Sequence, residues 1–264
     1  LGMLEVSGTD FSATGGANND VVTAKLSITG EGGTSYTLSS ADVEIMSATS
    51  FILSLNETDK AALNQMLNKN GTASTGGTTY NLAAASGWMA SATSSTDLTD
   101  NGITVSAVDV PAVSSSTYDA ATGILVVTGS GLLKSAGTAN DIDVTKLAFT
   151  GEGGDAYTLT SNTNKVELSS GTGFSVTLGA TDKSSVNTLL NKNGTSSAGA
   201  TTYNLSAAED WNAGADAAVT IADLTGNGIT VSNVPLPLIT SSTYDAATGI
   251  LVVTGSGLLK SAGT

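Results

Sequence analysis

The stretch "SSTYDAATGILVVTGSGLLKSAGT" covers Ser115 to Thr138, and the same letters recur from Ser241 to Thr264. Comparing the chain with itself extends the similarity well beyond this stretch. "KLSITGEGGTSYTL" from Lys25 matches "KLAFTGEGGDAYTL" from Lys146, and "LNKNGT" begins at Leu67 and again at Leu190. Self-similarity of this kind is typical of a repeat architecture, in which copies of one folding module follow one another.

The period of the repeat sets the predicted domain organisation. Tyr118 and Tyr244 lie 126 residues apart, which we take as the length of one module. Residues 1–114 then form a first module without its opening residues, and residues 115–240 form a complete second module. Residues 241–264 are the first strand of a third. We therefore expect the chain to be a window from a longer array.

Short runs of alternating apolar residues predict β-strands within the second module. Alternation occurs in "AYTL" from Ala156, "KVEL" from Lys165, "GFSVTL" from Gly173, "TYNL" from Thr202 and "GITVS" from Gly228. About seven strands per module follow from this pattern. "GILVVTG" from Gly123 is apolar without alternation, which favours a strand that is covered on both faces.

Two kinds of turn are predicted between these strands. Asn227 and Gly228 can adopt the positive φ angles of a tight hairpin. "YDAATG" from Tyr118 places Asp119 and Gly123 at suitable positions for a four-residue turn.

One segment of each module predicts a short amphipathic helix. "TDKSSVNTLLNKNG" from Thr181 offers a threonine N-cap and apolar residues at helical spacing, and Asn193 and Gly194 are suited to end the helix. "TDKAALNQMLNKNG" from Thr58 has the same design. A weaker helical turn is predicted around Trp88 and Trp211, and both tryptophans are expected mainly to pack in the core.

Composition excludes several classes of protein. The chain has nine lysines, 23 acidic residues and no Arg, His or Cys, so its net charge is −14. Such a surface repels nucleic acid. No stretch approaches the length of a membrane span, and the core of a module this size does not require disulfides. We therefore expect neither a nucleic-acid partner nor a membrane span in this segment.

The order of these motifs resembles the immunoglobulin-like tandem modules of large repetitive bacterial cell-surface proteins, which include adhesins, surface fibres and S-layer proteins. The motifs involved include "TYDAATG", "NDIDVTKL", "TGEGG", "LNKNGT" and "NGITVS". The resemblance implies a mainly β fold of tandem immunoglobulin-like β-sandwich modules, each with one short helix. It also implies an extracellular spacer whose adhesive or anchoring parts lie elsewhere in the polypeptide.

Calcium is the one cofactor that the sequence suggests. "ANDIDV" from Ala139 places Asp141 and Asp143 two residues apart, and calcium prefers several hard oxygen ligands in one place. Asp119 and Glu152 are further candidate ligands. The alternative interpretation is that all four are ordinary solvated loop acids.

The last apolar run predicts self-association. Ile250, Leu251, Val252 and Val253 form a strand of the third module, whose remaining strands are not in this chain. An unpaired apolar strand invites edge pairing. We expect this run either to be completed by continuing sequence or to dock on a neighbouring copy, head to tail.

Catalysis is not expected. Without His and Cys, the usual bases, thiolate nucleophiles and zinc sites are unavailable. Carboxylates such as Glu152, Glu167, Asp182 and Glu209 could in principle serve a glycosidase. In the first module Ser86 replaces the last of these, so a duplicated catalytic pair is an unattractive explanation.

Two functional hypotheses remain. In the first, the array is a structural rod or fibre on the cell surface. In the second, each module binds surface glycans through Trp88 and Trp211.

Overall fold

The structure is a computed structural model, and it describes residues 2–259. The fold is mainly β, with two short helices. Its strands are β1 (Met3–Ser7), β2 (Leu26–Thr29), β3 (Ser35–Thr37), β4 (Ile45–Ser47), β5 (Ser50–Ser54), β6 (Asn81–Ala84), β7 (Ala112–Asp119), β8 (Ile124–Ser130), β9 (Leu147–Thr150), β10 (Ala156–Thr158), β11 (Gly173–Thr177), β12 (Asn204–Ala207), β13 (Ile229–Ser232), β14 (Leu238–Asp245) and β15 (Ile250–Ser256). The helices are α1 (Glu57–Met66) and α2 (Ala180–Leu189).

The chain divides into two compact units whose members are not contiguous in sequence. Unit 1 contains Leu1–Val110, Gly131–Asp141 and Ala213–Val219, and unit 2 contains Pro111–Ser130, Ile142–Asn212 and Thr220–Thr264. The chain therefore changes unit after residues 110, 130, 141, 212 and 219. The module limits at residues 114 and 240 were inferred from the sequence repeat and not from compactness, so they stay a prediction.

Unit 1 has two three-stranded antiparallel sheets, in the orders β1-β5-β4 and β3-β2-β6. Both sheets and α1 contribute to one cluster of buried apolar residues. Leu26 comes from β2, Phe51 from β5 and Leu63 from α1. Trp88 lies in the same cluster, where its ring centroid is 5.8 Å from that of Phe11 in an edge-on arrangement. The core of this unit thus draws on both sheets.

Unit 2 contains a four-stranded sheet in the order β11-β8-β7-β13 and a three-stranded sheet in the order β10-β9-β12. All pairs are antiparallel except β13 and β7, which run parallel with Val231 opposite Tyr118. The largest buried side chains include Tyr118, Phe149 and Trp211. A hairpin of β14 and β15 completes the unit.

The alternating patterns predicted most of these strands correctly. "AYTL", "GFSVTL" and "GITVS" contain β10, β11 and β13, whereas "TYNL" overlaps β12 only at Asn204 and Leu205. "KVEL" contributes only a single bridge, at Val166, to Ile142. The helical turn expected around Trp88 and Trp211 is wrong, since both regions are turns with isolated bridges.

The prediction that "GILVVTG" is covered on both faces is wrong. Leu125 and Val127 of β8 are buried, whereas Ile124 and Val126 are 37% and 44% exposed. The strand therefore has one buried and one solvated face, although both faces are apolar. A uniformly apolar strand does not reveal in its sequence that one face is open.

Both predicted helices are present, but their predicted ends are wrong. Asn56 rather than Thr58 is the N-cap of α1, because its side chain accepts a hydrogen bond from Asp59 N at 2.8 Å. The N-cap of α2 is Gly179, where a Cβ atom would collide with the main-chain carbonyl of Asn162. Each helix ends before its "NKNG" motif, at Met66 and Leu189. Neither α1 nor α2 is long and apolar enough to cross a membrane, and residues 2–259 contain no other helix that could do so.

The two predicted turns differ in outcome. Gly123 has a φ of 80°, and its N–H donates to Asp119 O at 2.7 Å, which confirms the "YDAATG" turn. The hairpin expected at Asn227 and Gly228 is wrong, because the positive φ belongs to Gly226. Asn227 is instead buried, and its Nδ2 donates to Leu205 O at 3.1 Å.

Candidate functional site

The carboxylate of Glu31 is the centre of a buried polar cluster in unit 1. Glu31 begins a short 3-10 turn, Glu31–Gly33, soon after β2, and it is only 5% exposed. Its Oε2 accepts hydrogen bonds from Asn68 Nδ2 at 3.1 Å and from Gly76 N at 2.9 Å. Its Oε1 accepts one from Ala136 N at 3.2 Å. We call Glu31, Asn68 and Gly76 the Glu31 cluster.

Glycines make this arrangement possible. Gly32, inside the turn, has a φ of 67°, a backbone conformation that side chains disfavour. A Cβ atom at Gly76 would collide with the Glu31 carboxylate. The glycine at position 76 therefore lets the main-chain N–H reach the acid directly.

The Glu31 cluster holds a stretch of chain that follows β8. We call residues 131–137, "GLLKSAG", the 131–137 segment. Lys134 N donates to Gln65 O at 3.1 Å, and Lys134 O accepts from Asn68 Nδ2 at 2.8 Å. Ala136 approaches Gly32 so closely that a Cβ atom on the glycine would lie 3.1 Å from that of Ala136. The segment is thus recognised through main-chain atoms and through a small side chain.

A second stretch of chain, Ala213–Val219, also lies in unit 1. Thr75 Oγ1 donates to Gly214 O at 3.1 Å, and Lys69 Nζ lies 3.4 Å from Asp216 Oδ1 in a partly exposed ion pair. A Cβ atom at Gly214 would collide with the carbonyl groups of Leu133 and Lys134. The two added stretches therefore pack closely on one another within the unit.

Unit 2 contains a second cluster of the same composition. Glu152 begins the 3-10 turn Glu152–Gly154 and is also 5% exposed. Its Oε2 accepts hydrogen bonds from Asn191 Nδ2 at 2.9 Å and from Gly199 N at 2.8 Å. A Cβ atom at Gly199 would collide with the Glu152 carboxylate. We call Glu152, Asn191 and Gly199 the Glu152 cluster.

A different pair of buried carboxylates ties each helix to its unit. Asp59 accepts hydrogen bonds from the Tyr36 hydroxyl and from the main-chain N–H and hydroxyl groups of Ser39 and Ser40. Burial raises the pKa of Asp59, but these donors together outweigh burial and lower the pKa to about 2. Asp182 has similar partners in Tyr157 and Thr160, and its pKa is lowered for the same reason.

The four predicted calcium ligands have separate hydrogen-bond partners. Asp119 accepts from Thr122 N at 2.9 Å, and Asp141 accepts from Ser135 N at 2.6 Å. Asp143 forms an ion pair with Lys165 at 3.0 Å, while Glu152 belongs to the Glu152 cluster. Among residues 2–259, no three acidic side chains come together as a metal site would require. Calcium binding stays a prediction, which the melting temperature with calcium and with a chelator would test.

The tryptophans proposed to bind glycans are buried. Trp211 is fully buried, and its Nε1 donates to Ile221 O at 2.9 Å. Trp88 is 8% exposed and packs on Phe11 and Phe51. Neither ring offers an open face on which a sugar could stack.

The predicted self-association run is exposed in the structure. Ile250, Leu251, Val252 and Val253 of β15 are each between 44% and 61% exposed. Leu251 pairs with Tyr244 of β14, which is 66% exposed. The hairpin therefore presents apolar side chains that the described part of the chain does not cover.

The acids considered for catalysis have structural partners. Glu209 accepts hydrogen bonds from Ile221 N and Ala222 N, each at 3.0 Å, and Asp182 and Glu152 are buried acceptors as described above.

The comparison with protein families found no family model that matches the chain. The comparison with curated proteins likewise found no significant relative. The assignment of function therefore depends on the repeat and on the two clusters.

Proposed function

We propose that this protein is a structural, extracellular tandem-repeat protein that forms a rod or fibre on the cell surface. In this proposal each repeat is an immunoglobulin-like β-sandwich that acts as a spacer. The apolar cluster of unit 1 supports the sandwich, because it draws on two antiparallel sheets.

One observation carries the proposal. The 131–137 segment belongs to the second repeat by sequence, but it lies in unit 1 and supplies hydrogen bonds to Glu31 and Asn68 of the first repeat. In this arrangement, a buried carboxylate of one repeat accepts hydrogen bonds from residues of the next repeat. Such dependence of one repeat on the next is expected in an ordered array. Freely jointed repeats would be expected to satisfy their own buried groups.

Composition supports the same function. With 12% charged residues, no Cys and a net charge of −14, the chain lacks the residue types of most catalytic sites and repels other acidic surfaces. The burial of Trp88 and Trp211 disfavours the alternative function, in which these two rings bind glycans.

Small-angle X-ray scattering of a recombinant protein with four consecutive repeats tests the rod. A folded module of this length is roughly 35 to 40 Å across, so the maximum dimension should grow by about that amount with each repeat. A compact particle, or one whose dimension grows as a flexible chain, would contradict the proposal.

Localisation needs its own test. Antibodies raised against this chain should label intact cells of the source, and treating intact cells with protease should remove the label. Labelling only after permeabilisation would contradict an extracellular location.

A further inference from the structure

We propose that the hairpin of β14 and β15 from a second copy of this chain docks into unit 1 and completes its sheet. In this join β15 takes the place of β1 beside β5, and β14 adds a strand beside residues 103–106. The proposal rests on the proposed fibre for its head-to-tail direction, and it deepens that function by naming both surfaces of the join. All of these segments lie within the described residues.

The four-stranded sheet of unit 2 shows the complete arrangement. In the order β11-β8-β7-β13, the hairpin of β7 and β8 lies between two outer strands. Its register sets Leu125 opposite Val176 and Tyr118 opposite Val231. The exposed fraction of each of these four side chains is at most 2%. The hairpin and its two neighbours therefore close this part of the core together.

Unit 1 has counterparts of both outer strands but, within residues 2–259, none of β7. The pair β1 and β5 corresponds to β8 and β11, with a valine opposite a phenylalanine in each. Residues 101–106 repeat the "NGITVS" that contains β13. Val105 bridges Gly71, as the corresponding valine of β13 bridges Gly194. The same six letters form no strand in unit 1, because the described part of that unit lacks the neighbour with which β13 pairs.

The missing strand leaves apolar and main-chain groups of unit 1 less covered than their counterparts. Val6 and Val105 are only partly buried against the core, whereas the corresponding valines of unit 2 are at most 2% exposed. In unit 2, Ser116 N donates to Gly228 O at 2.9 Å. The described part of the chain has no donor to the corresponding carbonyl of Gly102. Unit 1 therefore offers an open edge to one more strand.

The hairpin of β14 and β15 has the sequence that this place requires. β15 has the same sequence as β8, and β14 shares "SSTYD" with β7. Tyr244 and Leu251 pair in the register of Tyr118 and Leu125, but they are 66% and 61% exposed. Within the described residues β14 pairs only with β15, so its other edge is open. The hairpin thus matches the missing strands and leaves uncovered the face that they bury.

A tyrosine gives the join a specific contact. In unit 2 the Tyr118 hydroxyl donates to Asn187 Oδ1 of α2 at 2.8 Å. Asn64 has the corresponding place in α1, and it is exposed. A docked β14 sets Tyr244 opposite Val105 and brings the tyrosine hydroxyl to Asn64. The second copy therefore supplies the hydrogen-bond donor that α1 lacks.

Docking exchanges one strand for an equivalent one and adds another. β15 offers β5 the same main-chain pairing that β1 provides, so the pairing of β5 is conserved. β14 adds a parallel pairing with residues 103–106, and the apolar face of the hairpin becomes buried, which favours association. Because the hairpin and its acceptor are different surfaces of the same chain, the contact repeats from copy to copy and extends a fibre.

Disulfide cross-linking of two single-cysteine variants tests the proposal, since the chain has no cysteine of its own. Val126 lies opposite Ser175 in unit 2, so the docked Val252 should lie opposite Ile52, within reach of a disulfide. Under oxidising conditions, chains carrying Ile52→Cys mixed with chains carrying Val252→Cys should give a dimer linked between positions 52 and 252. Mass spectrometry of the digested dimer identifies the link. Both side chains are exposed, so neither change should disturb the fold.

Val126→Cys is the matched control. Val126 is 44% exposed and has the same local sequence as Val252, but β8 is already held between β7 and β11. Mixed with Ile52→Cys, this variant should show only the slow cross-linking of random collisions. Adding Asn64→Ala to the Ile52→Cys chain should slow its cross-linking to Val252→Cys about two- to tenfold, the effect of one neutral hydrogen bond.

Two results would overturn the proposal. The link between positions 52 and 252 could fail to form although the thiol of Ile52→Cys reacts with a soluble thiol reagent. Val126→Cys could also cross-link to position 52 as fast as Val252→Cys, which would identify collision rather than docking. Neither result would contradict the proposed rod, because the scattering experiment uses repeats that are joined in one chain.

Discussion

Asp59 shows how a single buried acid can hold a helix against a loop. Five donors from Tyr36, Ser39 and Ser40 converge on its carboxylate, and the carboxylate is fully buried. Because the folded-state pKa of Asp59 is lowered from 3.8 to about 2, the stability from its ionised form is present above about pH 3.8. That stability is lost as the pH falls through about 2.

Asp59→Asn should therefore destabilise the protein at neutral pH and flatten its acid sensitivity. The amide presents an NH₂ group to donors, so we expect a loss of at least about 2 kcal/mol in the free energy of unfolding. Urea unfolding between pH 5 and pH 2 measures both effects. The exposed Asp97 provides the control Asp97→Asn, and an equal response in the two variants would contradict this account.

Gly76 provides a second test at the scale of one residue. Gly76→Ala places a methyl group against the Glu31 carboxylate, and overpacking of this kind costs about 1 to 3 kcal/mol. Gly102→Ala is the control in the same unit, since a Cβ atom there meets nothing within 4 Å. Chemical denaturation of the two variants should give a clear difference in the free energy of unfolding. Equal stability of the two variants would mean that the turn at Glu31 can shift to accommodate the methyl group without a cost in free energy.

At the scale of elements, one strand sequence occurs in two environments. β8 and β15 share the sequence "ILVVTGS", but Leu125 of β8 is fully buried while Leu251 of β15 is 61% exposed. In unit 2 the sheet continues past β8 and β7 to β11 and β13, whereas among the described residues β14 and β15 pair only with each other. Burial in this protein therefore depends on neighbouring strands more than on the strand's own sequence.

Leu125→Ala should cost about 2 to 5 kcal/mol in the free energy of unfolding, as expected for a buried leucine. Leu251→Ala should change it by less than about 0.5 kcal/mol at low protein concentration. Denaturant melts of the two variants, which share their local sequence, make the comparison direct. A large cost at Leu251 under these conditions would show that something covers β15 in solution.

Local patterns in the sequence predicted local structure correctly. They failed where contacts with residues distant in sequence determine the structure. Period-2 alternation identified β11 because Phe174 and Val176 pack inwards from one face. The helix starts were wrong because Gly179 is fixed by its proximity to Asn162, a contact that helical pattern rules do not contain. The apolar "GILVVTG" run was wrong because an open face can also be apolar.

The candidate site was only partly visible in the sequence. Glu152 was singled out, but as a calcium ligand or a catalytic carboxylate. The partners of Glu31 range from Asn68 to Ala136, which lies 105 residues away in sequence. The recurrence of "TGEGG", "LNKNG" and "GLLKSAG" at related offsets was the available signal. This recurrence shows that the three motifs repeat together in the sequence. Only the structure shows that they contact one another.

At the scale of the whole molecule, charge opposes the association that the exposed hairpin favours. The net charge of −14 repels other copies, whereas Leu251, Val253 and Tyr244 present apolar surface. Salt screens repulsion between exposed charges, with a screening length of about 10 Å at 0.1 M, and it leaves apolar contacts in place. Self-association should therefore strengthen as the salt concentration rises.

Sedimentation velocity at low and at moderate salt measures this association. The sedimentation coefficient of the wild type should rise with protein concentration more steeply at about 0.3 M salt than at about 0.02 M. Leu251→Gln should weaken the effect, while Leu98→Gln, at a site in unit 1 that is 55% exposed, should not. Identical behaviour of the two variants would place the association elsewhere.

Recognition of the 131–137 segment through its main chain has a consequence for the gene. Recombination between the DNA encoding the two "GLLKSAG" copies would delete 126 codons and join the first hairpin directly to residue 257. Glu31 and Asn68 would then meet the same seven residues as before. In the proposed array, unequal crossing-over would then remove or add repeats without creating a mismatched junction, so the number of repeats would be free to change from one generation to the next.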